Sequence, residues 1–155
     1  MAVLENRATN PLNNKPIVIF GHLFDFRIGS AILRDDHREW LESVAAPFLN
    51  GSPEATFLLH GFASRSGAAN VNQRISEQRV DSVLTFLTSQ PQGVAAEKNV
   101  ANEAVGESAG ELAGQRDGTE DSLLRAVTVE LWSIDLRTVT RGIRNLKRRQ
   151  AGRFF

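Results

Sequence analysis

The chain has 155 residues, 41% hydrophobic and 23% charged, which suits one globular domain whose core needs no covalent staple. It has no cysteine, so disulfides, thiolate metal sites and cysteine nucleophiles are excluded. The formal charge is zero but uneven: seven basic residues and no acid lie from Arg137 onward, leaving the preceding body about seven charges negative.

The opening MAVLENRATNPLNNK is polar and reads as an arm over residues 1–15. A secretory signal needs about 7–15 apolar residues after a basic start, and Glu5, Asn6, Arg7 and Asn10 interrupt any such run. No segment approaches the roughly 20 apolar residues of a membrane span. As written, the chain is expected to stay in the cytoplasm. Removal of a leader, or delivery by other machinery, would place it in the periplasm or envelope.

Pro16–Phe26 (PIVIFGHLFDF) is β-branched and aromatic and reads as a strand with a break at Gly21. Asp35 or Asp36 predicts a helix cap, with Glu39 following. Trp40, Leu41, Val44 and Phe48 then recur at helical spacing, and Pro47 is expected to end or kink that helix. The apolar run Ala55–Phe62 suits a buried strand. A second helix is predicted over Val71–Ser89, with Ile75, Val80, Val83, Leu84 and Leu87 on one stripe.

Val100–Val105 is a weak strand, and Gly106–Asp121, rich in glycine, serine and acids, is expected to be a mobile loop. Leu124–Trp132 alternates, with Val127, Val129 and Leu131 on one face, so it reads as a half-buried strand. The β-α-β-α-β-β order predicts an α/β (α+β) domain over residues 16–136. Its mixed sheet should contain parallel pairs, with helices packed on one face. Residues 137–155 form a basic tail.

The segment Gly61–Val80 reads GFASRSGAANVNQRISEQRV. It resembles the signature of OmpA-like domains, the peptidoglycan-binding type, roughly G-x-T-D-x-x-G-x-x-x-x-N-x-x-L-S-x-x-R-A. Gly61, Gly67, Asn72, Ser76 and Arg79 match, with Ile75 for leucine and Val80 for alanine. Leu23-Phe24-Asp25-Phe26 with Ser30 and Leu33, Gly106-Glu107-Ser108 and Arg125-Ala126-Val127 extend the resemblance over residues 17–135.

The resemblance implies a ligand site at Arg79, Asn72, Ser64, Gly67 and Arg65. In it Arg79 pairs with the diaminopimelate carboxylate of a peptidoglycan stem peptide, a fork-on-carboxylate contact. Gly67 lets the backbone approach closely. The family aspartate that accepts the ligand ammonium is Ser64 here, a neutral group beside the positive Arg65. A charge-assisted bond is worth about 1.5–3 kcal/mol against about 1 for a neutral one, so binding is expected to be weakened by about tenfold or more. On that basis Ser64→Asp should restore the lost partner. Ser-Arg-Ser-Gly at this place is also similar to a branch without secretion signals, found beside phage-tail-like contractile injection systems.

Other residues have plainer readings. Ser64 and Ser66 lie in no G-x-S-x-G elbow, so no catalytic residue is expected. His22, His37 and His60 lack metal-ligand spacing, and neither a metal nor a cofactor is expected. Arg79 also suits a structural pairing with Glu77, Asp81 or a loop carbonyl, and Asn72 and Ser76 suit fixing the loop–helix junction. Trp40 and Trp132 read as packing residues. In the tail, Arg144, Lys147, Arg148, Arg149, Arg153, Phe154 and Phe155 suit docking on an acidic protein better than on nucleic acid. Two functions follow: a non-catalytic peptidoglycan-binding module, or a structural adaptor in a large assembly.

Overall fold

Apolar residues at every second position of one strand set the centre of the sheet: Val127, Val129 and Leu131 are fully buried. The structure, a computed structural model, describes residues 2–52, 54–90 and 99–135. In chain order the elements are β1 (Val3–Thr9), β2 (Pro16–Leu23), α1 (Asp35–Trp40), a π-helical turn (Leu41–Ala45) and α2 (Ala46–Gly51). They continue with β3 (Thr56–Phe62), α3 (Ala69–Thr88), β4 (Asn99–Ala104), α4 (Ser108–Leu112) and β5 (Ala126–Trp132).

The five-stranded sheet has the order β1-β2-β5-β3-β4. Its one parallel pair is β3 with β4, while β5 runs antiparallel between β2 and β3. The predicted mixed sheet is therefore present. The last strand inserts at its centre and separates β2 from β3. The helices cover one face, where Phe57, Leu59 and Val129 meet Leu41, Leu49, Val83 and Leu87. The basic tail lies outside the described residues.

Several sequence expectations are corrected. The polar stretch expected as an arm contains β1, an edge strand paired with β2 from Val3↔Leu23 to Thr9↔Pro16. Besides the buried Val3, its hold is polar: Ala2 N–H donates to Asp36, and Trp40 Nε1 donates to Glu5 at 2.7 Å. Asp36 thus serves the first strand, and the N-cap position of α1 falls at Arg34. Second, of the two outcomes expected at Pro47, an end or a kink, the helix does not end but is distorted. The proline ring would clash with the carbonyl one turn back, and the widened π turn before it lets the chain run on as α2. Third, Gly106–Asp121, expected to be a mobile loop, carries the short helix α4 and a series of backbone-bonded turns.

Gly21 does not break β2. The Trp40 ring lies flat on it, and a Cβ there would meet Cη2 at 2.4 Å. His37 is fully buried among these elements; its Nε2 donates to the Phe24 carbonyl at 2.7 Å and its Nδ1 accepts from Arg34 N–H at 3.2 Å. Burial holds its pKa below the ordinary value, against the opposing pull of the Phe24 carbonyl and Asp36. The unfolded chain then takes up the proton more readily, so stability falls as pH drops through about 6.5. Melting curves between about pH 8 and pH 5 should show that loss. His37→Gln, though less stable overall, should have a smaller loss over the same range.

Candidate functional site

The loop after β3 and the first turns of α3 close a cavity of about 200 Å³, lined by Ser64, Gly67, Asn72, Arg79, Arg125 and the aliphatic Ile28 among others. Four of the five residues that the resemblance singles out meet here. Arg65 does not line the cavity. Its side chain turns toward Glu107 (3.6 Å) and Glu111 (3.7 Å), and Nη1 donates to the Gln115 carbonyl. Two larger grooves, about 550 and 570 Å³, run beside Ala31–Leu33 and gather none of these residues.

The helix lies unusually close to the strand because Gly61 has no side chain. Ser76 then bridges: its Oγ donates to the Gln73 carbonyl at 2.7 Å and accepts from Gly106 N–H at 3.1 Å. Gly106 takes φ +59°, a left-handed conformation that favours glycine. Asn72 ties the same parts, donating to the Gly67 carbonyl at 3.1 Å and to the Glu107 carboxylate. Both residues thus fix the loop–helix junction.

Arg79 is 1% exposed. Its Nε donates to the Ser30 carbonyl at 3.0 Å, Nη1 to Phe62 at 2.9 Å and Nη2 to Arg27 at 3.4 Å. The guanidinium also lies 5.3 Å from the centre of the Phe26 ring. Burial lowers its pKa to about 10, with Arg125 adding to the effect and Glu120 opposing it. Among the described residues no carboxylate pairs with it. Its partners are loop carbonyls rather than Glu77 or Asp81.

Two features of the site, Arg125 in the cavity wall and Glu120 bonded to it, escaped sequence reasoning. Arg125 Nε donates to the Phe26 carbonyl at 2.6 Å, and its other nitrogens hold Asp25 at 2.9 Å and Glu120 at 2.6 Å. Glu120 also accepts from Ser64 Oγ at 3.3 Å and from Ser66. Burial pushes the Glu120 carboxyl upward, but the two serine hydroxyls and Arg125 outweigh it and hold the group below its usual range. Arg125 had a signal, since it lies in the matched Arg-Ala-Val. Glu120 had none.

Solved structures share this arrangement of elements. The peptidoglycan-associated lipoprotein of Burkholderia pseudomallei is 18% identical, with TM-score 0.53 over 70% of this chain and 86% of its own. The fold is OmpA-like. The cell wall anchor of the T6SS from Pseudomonas aeruginosa is 16% identical, with TM-score 0.56 over 84% of this chain and 87% of its own. The periplasmic domain of Helicobacter pylori MotB is 12% identical, with TM-score 0.53 over 91% of this chain and 95% of its own. No family model and no curated protein matches the chain. Among the described residues, no helix of this OmpA-like domain is long and apolar enough to cross a membrane.

Proposed function

We propose that the chain is a non-catalytic peptidoglycan-binding module that takes the diaminopimelate carboxylate of a stem peptide at Arg79. The observation that supports this reading best is the convergence of Arg79, Asn72, Gly67 and Ser64 on one cavity. A lipoprotein associated with peptidoglycan and a cell wall anchor share the fold. Arg79 is charged and preorganised, yet bonded only to main-chain carbonyls. A ligand carboxylate gives a planar guanidinium stronger, charge-assisted bonds than those carbonyls do. Binding on this reading lifts the segment 27–30 off Arg79, and its exposed Ile28 packs little of the core that would resist it. Residue 64 itself brings no charge to the ligand ammonium. Ser64 and Ser66 lie within hydrogen-bond reach of each other and of the Glu120 carboxylate, whose lowered pKa and pairing with Arg125 make it a poor base for activating either hydroxyl.

Co-sedimentation with purified diaminopimelate-type sacculi tests the reading. The full chain should pellet with the sacculi and be released by soluble stem peptide. A chain that stays in the supernatant sinks it.

The sequence of the tail favours a second role, as an adaptor of a larger assembly such as a contractile injection system. Seven basic residues without an acid suit an acidic protein groove, and Phe154-Phe155 a small apolar pocket. Among the described residues the innermost end at Leu131, and on the adaptor reading truncation after Leu136 should leave the melting curve unchanged and remove co-purifying partner proteins. A truncated chain that unfolds, or that keeps every partner, removes the adaptor role.

A further inference from the structure

We propose that Glu120, which does not line the cavity but is bonded to its lining residues Ser64 and Arg125, is the ammonium-binding group at the cavity's edge, so that Arg79 and Glu120 together select a ligand end carrying both a carboxylate and an ammonium. The proposal rests on the peptidoglycan-binding reading and adds to it a residue that no motif marks. Ser64 is neutral, but its hydroxyl donates to Glu120 Oε2 at 3.3 Å, and Ser66 donates to the same carboxylate. A negative charge is thereby presented beside residue 64 from a turn 56 positions later in the chain. The hydroxyl bonds and Arg125 keep that carboxylate ionised at neutral pH.

The group has capacity to spare. A carboxylate offers roughly four lone-pair sites, and Ser64, Ser66 and Arg125 engage three of them. Its side chain is 35% exposed, so a ligand reaches it without unpacking the fold. Arg125 does not cancel the charge, because it is shared between Glu120 and Asp25. Arg79, which lines the cavity with Ser64, is close enough for Glu120 to raise its pKa. The cavity therefore offers a cation for a carboxylate, and Glu120, bonded to its lining residues Ser64, Ser66 and Arg125, adds an anion for an ammonium at its edge.

A structural role alone would make Glu120 merely the clasp that holds residues 113–122 to Arg125. Ligand charge separates the two roles. The probe is a soluble stem tripeptide ending in diaminopimelate, with its side-chain amine free or acetylated, titrated into the full chain. Glu120→Gln keeps a hydrogen-bonding partner for Arg125 but removes the charge. It should weaken the free-amine peptide at least tenfold and leave the acetylated peptide, already weak, unchanged.

Ser64→Asp on the wild-type background places two carboxylates side by side and should gain little. On the Glu120→Gln background it should restore affinity for the free amine. That rescue keeps the test decisive even where Glu120→Gln loses some stability. Equal affinity of wild type and Glu120→Gln for the free-amine peptide overturns the role of Glu120 and leaves the binding reading intact. Equal weakening of both peptides makes Glu120 a clasp only. No binding of either peptide by the wild type overturns both proposals.

Discussion

Gly61→Ala is expected to lower the melting temperature by about 10 °C, a loss of roughly 3 kcal/mol. A Cβ at this position would lie 2.3 Å from the Ser76 carbonyl oxygen and 2.7 Å from Val80 Cγ2. The nearer atom is helix backbone, so no rotamer change relieves the clash. Helix α3 must move away from β3, which loosens Val80 and Val83 and draws Arg79 off its carbonyls. Ligand binding should fall with stability for the same reason. Gly51→Ala is the matched control: nothing lies within 4 Å of its added Cβ, and the position is helical. It should be neutral or slightly stabilising. Thermal melts of the two variants check the contrast, and similar melting temperatures would contradict the close approach of α3.

Arg79→Met should cost on the order of 3 kcal/mol and abolish binding. It fills much of the same volume but leaves the carbonyls of Arg27, Ser30 and Phe62 without their donor. An orphaned buried polar group costs about 1–3 kcal/mol, and partial relaxation of the segment 27–30 limits the sum. Arg79→Lys separates stability from recognition. An ammonium still donates to the carbonyls and keeps the charge, so part of the stability returns. It cannot grip a carboxylate with two parallel bonds, so binding should stay at least tenfold weaker than wild type. Melts and stem-peptide titrations of both variants give the comparison. Full binding by Arg79→Lys would show that the fork is not what holds the ligand.

The central elements were legible because burial imposes periodicity. The alternation in Ala126–Trp132 and the stripe Val80, Val83, Leu87 report faces that the core requires. β1 was illegible because an edge strand buries little: VLENRAT alternates no apolar face, and its place depends on backbone pairing with β2 and on Asp36 and Trp40. Parallel pairing was expected, but its restriction to β3 and β4 was hidden, since the insertion of β5 between β2 and β3 leaves no local trace. At the site, spacing brought Gly67, Asn72 and Arg79 together because they share one loop and helix. The burial of Arg79 by Arg27 and Ser30, and the approach of Glu120 to Ser64, join segments about 50 residues apart or more, beyond the reach of any local pattern.

Recognition of the diaminopimelate carboxylate by Arg79 is tested most directly by a single change in the ligand. Two soluble stem tripeptides, one ending in diaminopimelate and one in lysine, keep the side-chain ammonium and differ by the carboxylate beside it. Calorimetric titration of the full chain should show the diaminopimelate peptide bound at least tenfold more tightly, with the difference lost in Arg79→Lys. Equal affinity for the two peptides, or a preference that survives in Arg79→Lys, would contradict the assignment of Arg79 as the carboxylate anchor.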